Sequence, residues 1–140
     1  YHWDLERGKF QSDFMEILNE NFDLNYLIID FNNCYIQYMG WANSKEYHCE
    51  TISNQFLDES HKLNDSHIKK LKGLNFSNPN NQDIEGNISP NYSKFYKLNN
   101  ISDQMQIFEE MIFMMSEVYN LPNDCSMLKN FFCGDQCNYL

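Results

Sequence analysis

Basic residues are scarce in this sequence: 10 Lys and Arg against 20 Asp and Glu leave a formal net charge of −10 and a pI near 4.6. Polyphosphate and anionic lipid surfaces reward clustered cations, so neither nucleic acid nor a membrane surface is expected as a partner. The short run Lys69, Lys70 and Lys72 falls on one face of an expected helix and reads as solvated surface. Glycine is sparse too, and its 5 scattered residues build no phosphate-cradling loop. No uninterrupted apolar run approaches the roughly 18–20 residues that a membrane-spanning helix needs. The opening Tyr1-His2-Trp3-Asp4 lacks the basic and apolar regions of a signal peptide. Cysteine occurs 5 times, an odd count without framework spacing, which fits reduced thiols in the cytoplasm better than a disulfide scaffold.

What is present suffices for one core. The chain has 140 residues, 42% hydrophobic and 16% aromatic, a size and composition that suit a single domain. Phe10, Phe14, Ile17 and Leu18 share one helical face, and the Asn-rich stretch from Asn21 to Asn25 should stop that helix. Two short aromatic and β-branched runs, Asn25 to Phe31 and Cys34 to Ala42, flank Asn32-Asn33, a plausible two-residue hairpin turn. A further turn at Asn43 to Glu46 leads into Tyr47 to Ser53 and completes a three-stranded meander. Asn64 or Asp65 suits the cap of a short helix carrying Ile68, Leu71 and Leu74, which Gly73 or Asn75 can close in a left-handed conformation. Ser77 to Pro90 reads as a loop, and Tyr92, Phe95, Tyr96 and Leu98 as a last short strand. From Ser102 to about Tyr119 a helix aligns Ile101, Met105, Phe108, Ile112, Met115 and Tyr119 on one stripe. Ile107, Met111, Phe113, Met114 and Val118 widen the stripe, so the helix should be buried on two sides, and Pro122 should end it. The expected fold is α+β: an antiparallel meander packed against an N-terminal helix and a long C-terminal helix. Residues 1–122 form the domain, and the Cys-containing tail 123–140 docks on it as a short terminal helix through Leu128, Phe131 and Phe132.

No enzyme signature emerges. Cys125, Cys133 and Cys137 cluster in the tail, but a zinc site would need a fourth ligand such as His48, Cys49 or His67. Only Cys133 to Cys137 approaches paired-ligand spacing, so no metal is expected. His48 beside Cys49 suggests a thiol–imidazole pair, yet neighbouring strand residues point to opposite faces. His61 and His67 read as surface residues, and no nucleophile motif such as G-x-S-x-G occurs. The Met-rich late helix is more informative. Met is flexible and polarizable, so Met105, Met111, Met114 and Met115 pack the core in the main and can meet an apolar partner along the outer edge of the stripe.

Tyr35-Ile36-Gln37-Tyr38 in a strand is followed by Glu50-Thr51-Ile52-Ser53-Asn54-Gln55-Phe56-Leu57, then by Leu74-Asn75-Phe76 with Pro79, then by Pro90-Asn91-Tyr92. In order and spacing this resembles the superfamily of type III secretion chaperones and YbjN-type peptide-binding chaperone domains, over about Phe10 to Tyr119. Asn75 stands where the family often has Gly, and Phe76 and Tyr92 where Trp is common. The resemblance implies ATP-independent holding of an extended peptide or partner protein, often by dimers, without catalytic residues or cofactors.

The candidate contacts for such a partner are Tyr35, Gln37, Met39 and Trp41 on one face of the second strand, with Glu50 at the end of the third and Met111 and Met114 on the late helix. Cys34, Ile36 and Tyr38 then fill the core, although both faces are apolar and the reverse assignment stays open. Strand addition to a free sheet edge would supplement apolar burial. A secreted effector or toxin is a partner of the expected kind. The rival reading is an acidic immunity or inhibitor protein that neutralises one basic toxin.

Overall fold

The computed structural model describes residues 6–18, 24–31, 34–41, 45–82, 86, 88–121 and 130–131. Helix α1 (Arg7–Leu18) leads into strands β1 (Leu24–Phe31), β2 (Cys34–Trp41) and β3 (Glu46–Thr51). Helix α2 (Asp65–Gly73), strand β4 (Tyr92–Lys97) and helix α3 (Ile101–Phe113) follow, and α3 continues as a π-helical turn over Met114–Val118. Strand β5 is Asn130–Phe131. All pairings are antiparallel, in the order β4-β3-β2-β1-β5, so the protein is α+β with a meandering sheet.

Alternation on the strands decides the layers. Leu27 and Ile29 of β1, Cys34, Ile36 and Tyr38 of β2, Tyr47, Cys49 and Thr51 of β3, and Tyr92 and Tyr96 of β4 are all buried. The helices cover this inward face. Phe14 of α1 meets Tyr38 edge to face at 5.5 Å, and Phe10 meets Phe108 of α3 in the same way at 5.6 Å. Gly40 leaves room for the Tyr47 ring, since a Cβ there would lie 2.9 Å from its carbons.

Local signals in the sequence place α2 correctly. The Asn64 side chain accepts from His67 N–H at 3.0 Å, and the Asn64 N–H donates to His67 Nδ1 at 3.2 Å, a reciprocal cap. Asn75 takes the left-handed conformation, with φ of +70°, just past the helix. The register brings Phe31 opposite Cys34 across the first hairpin, while the expected turns at Asn32-Asn33 and residues 43–44 lie outside the described residues.

Several expectations need correction. The first turn of α3 leaves the buried stripe: Ile101 is 69% and Met105 44% exposed, because the core contacts begin at Ile107. The helix closes through its π-helical turn, where Tyr119 N–H reaches Met114 O at 2.9 Å, and Asn120 then adopts φ of +52°. Pro122, the expected stop, lies outside the described residues. In the tail, residues 130–131 form β5 on β1 instead of part of a helix, pairing Phe131 with Ile29 and Asn130 with Asp30. An unpaired strand edge offers the backbone partners that a short helix would have to find internally.

Candidate functional site

The outward face of the sheet lies opposite the helix-covered core. Cross-strand register assembles two rows on it: Ile28, Gln37, Glu50 and Ser93 form one, and Met39, His48 and Phe95 the core of the other. Gln37, Met39, His48 and Ile28 are half-buried, and Phe95 is 58% exposed. The His48 and Phe95 rings stack with centroids 4.7 Å apart. The orientation of β2 is therefore settled: Tyr35, Gln37 and Met39 face outward. Trp41 ends the strand opposite Leu24, and its side chain lies outside the described residues.

One end of this face is clasped from within. Glu50 Oε1 accepts from Ser89 Oγ at 2.9 Å and from Asn91 Nδ2 at 2.8 Å, and Asn91 Nδ2 also reaches Tyr35 Oη at 2.7 Å. Asn91 Oδ1 accepts the Ser53 N–H at 3.0 Å, and Ser53 Oγ donates to Pro90 O at 2.8 Å. The exit of β3 and the start of β4 are thus tied together by the residues of two separate motifs. Ser53 gives its N–H to a side chain, which is why β3 stops at Thr51, short of the expected Ser53. Asn54 pins the following loop by accepting Leu63 N–H at 2.7 Å and donating to Leu63 O at 2.9 Å. Tyr35 and Glu50 serve this clasp, so the open end of the face is Gln37, Met39, His48 and Phe95.

Two candidate contacts move elsewhere. Met111 and Met114 are fully buried and offer no surface to a partner, because α3 packs against α1 and β4 and its π-helical turn packs against α2. The long helix instead carries a polar centre that sequence reasoning missed. Glu110, 9% exposed, accepts from Lys94 Nζ at 2.6 Å, Tyr96 Oη at 3.0 Å and Gln106 Nε2 at 2.8 Å. Lys94 also donates to Leu74 O at 2.7 Å and lies over the Tyr96 ring. The signal was present as an acid within an apolar stripe, but its partner sits on a strand and only packing reveals it.

The buried face is chemically quiet. Cys34 and Cys49 are buried and form no disulfide. Burial pushes the Cys49 thiol well above its ordinary range, so it is held as the neutral, unreactive form. Burial likewise drives up the phenols of Tyr38, Tyr96 and Tyr119. The Tyr38 hydroxyl has no hydrogen-bond partner among the described residues, with the weakly bonding Cys49 thiol as its neighbour. His48 and Cys49 do point to opposite faces. His61 pairs with Asp58 on the surface at 2.6 Å. Among the described residues no three His, Cys, Asp or Glu side chains gather as metal ligands, and Cys125, Cys133 and Cys137 lie outside them. No helix among the described residues is long and apolar enough to cross a membrane.

On sequence alone Phe95 reads as part of a strand, and His48 as a thiol partner or a fourth zinc ligand. Alternation within β4 could have set Phe95 opposite the buried Tyr96, but its adjacency to His48 depends on register between distant segments. Compared with known protein families, curated proteins and solved structures, the chain matches none.

Proposed function

We propose that this protein is a non-enzymatic, chaperone-like binding domain that holds an extended segment of a partner polypeptide on the open end of its outward sheet face. The observation that carries the reading is the Met39–His48–Phe95 row, an apolar and aromatic surface on a sheet whose opposite face already completes the core. Met and aromatic side chains suit varied apolar contacts because they combine large area with adaptable shape. The motif resemblance supports the same reading, as does the way Glu50, Ser53 and Asn91 brace the face from one end. Buried thiols without a disulfide fit a reducing compartment, in keeping with a cytoplasmic partner such as an effector or toxin before export.

A second reading, an acidic inhibitor of a basic toxin, is favoured by the net charge of −10. Salt separates the two. Apolar holding should survive high ionic strength, whereas charge-steered binding should weaken steeply. The test is pull-down with mass spectrometry at low and high ionic strength, using the wild type and Met39→Asp. A partner kept at high salt by the wild type and lost by the variant supports the first reading. Binding that disappears with salt and ignores Met39→Asp overturns it.

A further inference from the structure

The free edge of β4 carries an inference that does not depend on the reading of the outward face. Ser77 N–H donates to Ser93 O at 2.8 Å, and Ser93 N–H to Ser77 O at 3.4 Å, so the Ser93 backbone points away from β3. Antiparallel strands alternate the direction of their peptide groups, so the N–H and C=O of Phe95 and Lys97 also point away from β3. Neither has a hydrogen-bond partner among the described residues. The window is short and closed at both ends. Ser77 occupies Ser93 on one side. On the other the chain leaves the edge, with Leu98 N–H on Lys45 O at 2.6 Å and Asn99 N–H on Asp103 Oδ2 at 2.8 Å.

We propose that a second copy of this chain pairs with this edge, antiparallel, about a two-fold axis at Tyr96. In that register Phe95 lies opposite the partner's Lys97, and Lys97 opposite the partner's Phe95, and each pair exchanges hydrogen bonds in both directions. The two window limits are compatible with the axis, since the partner's Asn99 would fall opposite Ser93, where its chain is already turning into α3. Charge selects this register over its neighbours. An axis at Lys97 would set lysine against lysine, and an axis at Phe95 would require Ser93, which Ser77 holds. With the axis at Tyr96, each Phe95 face meets a cation, and that cation stands opposite Glu46 in the register of β3 with β4. The row then reads His48, Phe95, the partner's Lys97, the partner's Glu46, with no like charges adjacent. Antiparallel addition keeps faces aligned, so the two outward faces join into one continuous surface.

The interface is small and each copy carries a net charge of −10, so the dimer is reversible and strengthens with salt, which screens the repulsion. Sedimentation velocity over a range of protein concentration, at low and high ionic strength, reads it directly. Wild type should shift from monomer to dimer with concentration, and at lower concentration in high salt. Phe95→Lys sets lysine against lysine, and Lys97→Glu removes the cation from the ring; each should weaken association at least about tenfold. The double variant should recover most of it, because the two new charges face each other across the axis. Lys97→Pro removes an edge N–H that has no partner among the described residues, and should abolish the dimer while leaving the circular dichroism unchanged. A wild type that stays monomeric, a dimer indifferent to the single changes, a double variant without recovery, or an edge that takes up an unrelated extended peptide while the chain remains monomeric would each overturn the proposal.

Discussion

The two faces of β2 are made of similar material and have opposite fates. Cys34, Ile36 and Tyr38 are buried on the helix-covered side, while Tyr35, Gln37 and Met39 one residue away stand on a surface that no helix among the described residues covers. Hydrophobicity does not separate them, for each face carries an aromatic ring and a sulfur-bearing side chain. What separates them is the company brought by other segments: Phe14 and Phe108 on one side, His48, Phe95 and the Asn91 clasp on the other. A core contact raises stability, and an outward contact leaves stability nearly untouched and is available for binding.

Mutation should expose that difference most sharply at the aromatic centre. Phe14→Ala or Phe108→Ala should cost about 3–5 kcal/mol in urea unfolding, through lost burial and an unfilled cavity. If either costs less than Met39→Ala, the assignment of faces is wrong. Lys94→Met should come close to this, since leaving Glu110 buried without its cation costs about 3–5 kcal/mol. The double change Lys94→Met with Glu110→Leu should return most of that loss, which unfolding of the pair would check. Asn91→Ala should cost about 1–3 kcal/mol, because the buried Ser53 N–H then lacks an acceptor.

Alkaline titration offers a gentler probe of the inward face. The Cys49 thiol and the Tyr38, Tyr96 and Tyr119 phenols are all raised in the folded state, chiefly by burial. The unfolded chain releases these protons near the ordinary values of 9.0 and 10.0, whereas the folded chain retains them. Proton loss therefore favours the unfolded state as pH rises, and stability should be full below about pH 9 and decline above it. Phenolate absorbance should accordingly show tyrosines that ionise only on unfolding. The smallest expected effect is Met39→Asp on stability, within about 1 kcal/mol by the same urea assay, although it should remove partner binding.

Much of the architecture could be read along the chain. Asn64 caps α2 and Asn75 closes it for reasons contained within a few residues, and the alternation of β2 separated its two faces before any partner strand was known. The site was legible only in part. Gln37 and Met39 lie on the open face as expected, but Glu50 braces the fold and Met111 and Met114 fill the core. A methionine stripe reports a helix face without saying what covers it. Phe95 gained its place beside His48 through pairing between segments far apart in sequence, which no local pattern contains.

By itself the sequence determined where the helices and the first strands fall, which residues share a face, and which asparagines cap or turn the backbone, because these depend on neighbours a few bonds away. Tertiary structure alone decided which face turned inward, that Glu110 would meet Lys94, that Asn91 would lock onto Glu50, and that residues 130–131 would join β1 as a strand. Burial and pairing are properties of what lies across a contact, and only the folded chain brings the two sides together.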